Sequence, residues 1–219
     1  MIRNSVPDRT AAPVRRRAAA VAGAVLAAAA LTACGSTAHP GAAAVVGDHR
    51  ITTSAVEARV TAFRDAVADE SQGQAQAENG GLVRNTVRDM ILSDLVSHAL
   101  AEHQLSVSAE EVQQAHASDA GQLGGETALT RALLEQKGVA PSATDDFYRR
   151  VLGMQKLAAL TGADPNTEQG SEALRKTLAD AAKDLKVEIN PRYGTWDPQK
   201  VTFSDDADNW LRTGSTKAS

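Results

Sequence analysis

A chain of 219 residues, 42% hydrophobic and 23% charged, supports one compact domain with a real core and little more. Its single cysteine excludes an intramolecular disulfide and any multi-thiolate metal site, and thiol redox chemistry goes with them. A formal net charge of −4 without a basic stripe makes nucleic acid and anionic lipid surfaces poor partners.

The first 33 residues differ in composition from the rest. Arg15, Arg16 and Arg17 precede an uncharged, Ala-rich run from Ala18 to Leu31, the order of a charged n-region and an apolar h-region. The run is shorter than the about 20 apolar residues that a helix needs to cross the hydrocarbon core, so removal is expected rather than permanent anchoring. Leu31-Thr32-Ala33-Cys34-Gly35 follows and resembles the bacterial lipobox, in which small residues fit a peptidase groove ahead of a thiol that accepts diacylglycerol. The resemblance implies a signal peptide over 1–33, lipidation of Cys34, and a cell-membrane lipoprotein on the extracytoplasmic face. Several acyl chains at about 0.8 kcal/mol per buried methylene would make that attachment stable. Residues 1–33 carry five Arg against Asp8, so the remaining chain has 18 basic and 26 acidic residues, near −8. The lipid, not charge, would do the anchoring.

Residues 34–41 are the lipidated cysteine and a small, polar, Pro-containing tether. Ala42 to Ile51 reads as a short strand, with Val45 and Val46 meeting a Gly47-Asp48 turn signal. Thr52, Thr53 and Ser54 offer caps for a helix whose Val56, Val60, Phe63 and Val67 form one apolar stripe. Ser71 to Gly81 breaks the pattern and is expected to be a loop. From about Leu82 to His103, Val83, Val87, Ile91, Leu95 and Ala99 make an i+4 row broadened by Met90, Leu92, Val96 and Leu100, which predicts the central helix of the core.

Ser108-Ala109-Glu110-Glu111 matches a capping box and should start a further helix that fades near Gly121. Another is expected from about Glu126 to Lys137, stopped by Gly138. Pro141 to Thr144 then introduces a helix with Phe147, Val151, Met154, Leu157 and Leu160 on its apolar side. Residues 161–170 read as a linker. A last helix from about Ser171 to Leu185 leads to a short strand at Lys186 to Asn190, expected to pair with the strand near Val45 and so join the two ends of the domain.

This order of elements is similar to the N-terminal chaperone domain of the SurA and PrsA families, with LVSHALAEHQLSVSAEEV its most specific segment. The resemblance covers roughly 42–160, and residues 171–190 look like the piece that completes the domain. It implies a mainly α fold: a compact multi-helix bundle with a small two-stranded β element joining its ends. The families' parvulin-type prolyl isomerase usually enters between the last two helices. Here that place holds only TGADPNTEQG, so no isomerase is expected.

Catalytic and metal motifs are weak. His98 and His103 lie five apart, about 140° around a helix rather than the roughly 40° of an i+4 pair, so the two do not ligate one ion together. Asp145-Asp146 suits a helix N-terminus favoured by the dipole. Gly121 to Glu126 faintly resembles a parvulin turn but lies in the wrong place, and an interhelical loop is expected. No catalytic residue, cofactor or metal ligand is assigned, and the chain is not expected to be an enzyme.

The tail, 191–219, holds four of the seven aromatics: Tyr193, Trp196, Phe203 and Trp210. They either cover the end of the helical core or form an exposed strip for a client or partner. The expected function is that of a membrane-anchored, extracytoplasmic chaperone binding apolar stretches of unfolded or newly exported polypeptides. The alternative is a non-catalytic interaction or structural module recruiting one cell-envelope partner.

Overall fold

The computed structural model describes residues 40–72, 81–162 and 167–204. The expected leader, Cys34, residues 73–80, where a loop is expected, residues 163–166 and Trp210 lie outside them.

Small and β-branched residues open the fold. β1 (Ala42–Val46) turns through Gly47-Asp48 into β2 (His49–Thr52), pairing Val46 with His49 and Val45 with Arg50. Gly47 is required here: its φ is +58°, a β-carbon would stand 2.8 Å from Leu185 Cδ2, and its N–H donates to the Leu185 carbonyl at 2.7 Å. The other edge of β1 takes β3 (Glu188–Ile189), with Ala44 opposite Ile189 and Val45 opposite Glu188. Asn190 fastens the junction, its N–H donating to the Ala43 carbonyl at 2.9 Å and its side-chain amide to the Ala42 carbonyl at 3.1 Å. The expected joining of the two ends is therefore present, within an antiparallel sheet of order β2-β1-β3.

Helices pack over this sheet. α1 (Thr53–Glu70) starts at Thr52, whose hydroxyl accepts from the Ala55 N–H at 3.1 Å, and buries Val56 and Val60. α2 (Leu82–Glu102) buries Val87, Ile91, Leu95, Val96, Ala99 and Leu100 and touches α1, α5, α6 and β1. The breadth of its apolar face follows from being surrounded. α3 (Ala109–Leu123) starts at the Ser108 capping box: the Glu111 N–H donates to Ser108 Oγ at 3.1 Å and the Ser108 N–H to Glu111 Oε2 at 2.8 Å.

The helix expected over 126–137 is α4 (Glu126–Ala132), continued by a π turn at Leu133–Lys137 and ended at Gly138 with φ +66°. Leu129, Leu133, Val139, Val112 and Tyr148 form a second, smaller core. α5 (Thr144–Leu160) buries Tyr148, Gly153, Leu157 and Ala158. Leu160, expected on its apolar side, is the last residue of α5 and is 52% exposed.

α6 (Glu168–Asp184) begins three residues before the expected start, since the Thr167 hydroxyl accepts from the Gly170 N–H at 3.1 Å and caps it. Of the expected linker, residues 161–162 are turn and 168–170 already helix. After β3, a 3₁₀ turn at Pro191–Tyr193 leads to a hairpin of β4 (Thr195–Asp197) and β5 (Thr202–Ser204). No described helix is long and apolar enough to cross a membrane.

Candidate functional site

The cleft begins with an omission on α5. Gly153 has no side chain where α5 crosses α2, and Val96 and Leu100 fill the space, which draws the two helices together along one side. On the other side they diverge and leave a cleft of about 450 Å³, within the range of small binding pockets. Its floor is apolar: Met90, Val96 and Leu100 from α2, with Leu105 and Val107 from the extended stretch that follows.

Charge is confined to the rim and is largely paired. Arg59 of α1 donates to Asp146 at the start of α5, and Arg149 reaches the same carboxylate at 3.1 Å. His49 of β2 meets Asp94 of α2 at 2.8 Å. Arg150 is the most enclosed, its side chain only 11% exposed, and donates to the Asp89 carbonyl and to Ser93 Oγ, each at 3.4 Å. Burial pulls its guanidinium below the ordinary arginine value, and the Asp89 carboxylate acts in the opposite direction. It stays charged at any physiological pH. Burial likewise raises the Asp94 carboxyl above its usual range, opposed but not overcome by the His49 hydrogen bond. An otherwise acidic chain thus presents an apolar groove edged by three guanidiniums.

The tail aromatics are elsewhere. Tyr193 is 6% and Phe203 9% exposed, both in the main core, and Trp196 is half-buried against it with its ring 5.7 Å from Phe203. Arg84 of α2 holds this corner, its guanidinium 5.3 Å from the Phe203 ring and donating to the Ser204 carbonyl at 3.3 Å. Tyr193, Trp196 and Phe203 therefore cover the end of the core; they do not form the exposed strip considered from sequence, because the hairpin folds its apolar face inward. Trp210 and Cys34, the lipidation residue expected from sequence, lie outside the described residues.

Other sequence candidates fall where local physics puts them. Asp145 and Asp146 occupy the first turn of α5. Gly124 and Gly125, both at positive φ, form the loop between α3 and α4. The rim residues Arg59, Asp94, Arg149 and Arg150 were not singled out from sequence. The available signal was Arg149-Arg150 inside the apolar run FYRRVLGM, two cations on a helix that otherwise reads as core.

A family model described as the SurA-like N-terminal domain matches residues 14–158, about two thirds of the chain, and no parvulin isomerase domain matches. No curated protein gives a significant match, and no solved structure does. The interval between α5 and α6, where such an isomerase would enter, is only 161–167. With six α-helices and a capping sheet in the expected order among the described residues, the chain belongs to the SurA-like N-terminal domain family, a non-catalytic, chaperone-type helical fold.

Proposed function

We propose that this chain is a membrane-anchored, extracytoplasmic chaperone-like lipoprotein that binds apolar stretches of unfolded, newly exported polypeptides without isomerising prolines. The carrying observation is the cleft between α2 and α5: an apolar floor open to solvent, in a family whose domains bind polypeptide in general. Its volume takes a few apolar side chains, not a folded partner, which favours weak and reversible capture. The guanidiniums on the rim add donors for client carbonyls and carboxylates without reading a particular sequence. Lipid on Cys34 would hold the cleft where exported chains emerge.

The test is light scattering from a chemically unfolded protein diluted into the folded unit, which begins at His39. Suppression at near-stoichiometric amounts is expected, and Ala101→Trp, which plugs the cleft from an exposed lining position, should abolish it without altering the circular dichroism. Suppression undiminished by the plug would remove the cleft from the reading. No suppression at all would favour recruitment of a specific envelope partner. Acyl labelling of cells expressing the full chain, present with Cys34 and absent in Cys34→Ser, tests the anchor.

A further inference from the structure

Two helices end at the same place with the wrong charge. α2 closes on Glu102 and α6 on Asp184, although a helix C-terminus carries partial negative charge and is better served by a cation. Nothing basic stands in the last turn of α2 to compensate. His98, one turn back on α2, completes the group: one donor atom from each of His98, Glu102 and Asp184 lies within 4.8 Å of the others.

We propose that His98, Glu102 and Asp184 form a divalent transition-metal site of the zinc class that clips α6 to α2. The chemistry of the donors fits. Imidazole and carboxylates are ordinary zinc ligands, and three protein ligands leave a fourth position for water. A neutral imidazole with two carboxylates carries charge −2, which a divalent ion neutralises, and the ion also compensates the C-terminus of α2, which lacks the last-turn cation that Lys183 gives α6.

Geometry agrees with the chemistry. His98 and Glu102 are an i+4 pair, about 40° apart on the helix, unlike His98 and His103. Tetrahedral bonds of about 2.1 Å would set ligand atoms about 3.4 Å apart; His98 Nε2 stands 3.6 Å from Glu102 Oε1, too long for a hydrogen bond and close to a shared-ion spacing. A separate observation points the same way: His98 Nε2 is shielded from solvent yet has no hydrogen-bond partner among the described residues. A buried nitrogen lone pair or N–H left this way is costly, and a bound ion would satisfy it. Asp184 and Glu102 are exposed, so an ion could reach them from solvent.

The site would tie Asp184 to α2 one residue before Leu185, whose carbonyl receives the Gly47 N–H and whose side chain packs on that turn. Metal would therefore stabilise the closure of the domain's two ends. Calorimetric titration of zinc chloride into the full chain carrying Cys34→Ser, which removes the only thiol, tests this. One zinc per chain is expected, with a visible cobalt spectrum of tetrahedral type and a melting temperature raised by zinc and restored by chelator. His98→Ala and Asp184→Asn should weaken binding at least tenfold, whereas His103→Ala, at the C-cap that follows α2 and outside the proposed ligand set, should not. Circular dichroism before each titration verifies folding, and the exposed Asp184→Asn variant decides the matter if His98→Ala unfolds. Absence of zinc binding by the parent chain, or equal binding by Asp184→Asn, overturns the proposal.

Discussion

A β-carbon on Gly153 would stand 2.4 Å from Val96 Cγ1, closer than two carbon atoms can approach. In an exposed helix Gly→Ala stabilises by roughly 0.5–1 kcal/mol. Here overpacking reverses the sign, and Gly153→Ala should cost about 1–3 kcal/mol in urea unfolding. Val96→Ala in the same chain removes the obstructing methyls, so the double variant should lose less than the sum of the two single losses. An additive pair would show that α5 and α2 do not meet at this point.

The capping box of α3 gives a prediction with a pH signature. Ser108→Ala should cost about 1 kcal/mol, the usual loss on removing a hydroxyl N-cap. The Lys156 ammonium and the Ser108 N–H hold the Glu111 carboxyl below its ordinary value of 4.5. A lowered carboxyl stabilises the fold above the ordinary value, and the contribution disappears as pH falls through the folded value. Glu111→Gln should therefore be destabilising at pH 7 and close to neutral at pH 3; equal losses at both would refute the ionic origin.

Asp94 has the opposite sign. Burial raises its carboxyl above the ordinary 3.8, so the folded state holds the proton longer and ionisation costs stability as pH rises past that value. Asp94→Asn should therefore be more favourable to stability at pH 8 than at pH 3. Urea unfolding at the two pH values reads the difference directly.

The tail hairpin is a packed element, and its residues should separate by burial. Phe203→Ala should cost about 3–5 kcal/mol, as for other buried aromatic truncations. Trp196→Phe should cost little, since the indole N–H has no hydrogen-bond partner among the described residues and the ring lies only half-buried. Thermal unfolding of both variants provides the comparison.

Tyr148 donates to Asp119 at 2.9 Å from within the second core, and burial with that carboxylate pushes its phenol well above the ordinary value of 10. Tyr148→Phe should remove one hydrogen bond, about 1 kcal/mol, at every pH from 5 to 9, because the phenol stays protonated throughout.

Local signals carried most of the fold. The Ser108-x-x-Glu111 box, the i+4 row of α2 and the Gly47 turn each depend on a few neighbours in sequence, and each stands where expected. The pairing of β3 with β1 was legible for a different reason: strands this short need a partner, and few were available. Leu160 and the first turn of α6 were misplaced because helix ends are hard to fix from sequence, the close of α5 in one case and the Thr167 cap in the other. The cleft itself was not legible. Its rim joins Arg59, Asp94, Asp146 and Arg150 from three helices, and only packing brings them together. In the tail, three-residue strands gave too little alternation to fix which aromatic faces inward.

The seating of β1 between β2 and β3 has a consequence for timing. Ala44 finds β2 almost as soon as it is made, but its other partner, Ile189, lies far later in the sequence. Contacts so distant in sequence form late, since a long loop must close before they repay its entropy. Until then one edge of β1 is an open template for a foreign strand. A chain cut short before β3 would keep that edge open permanently, so it should associate with other chains.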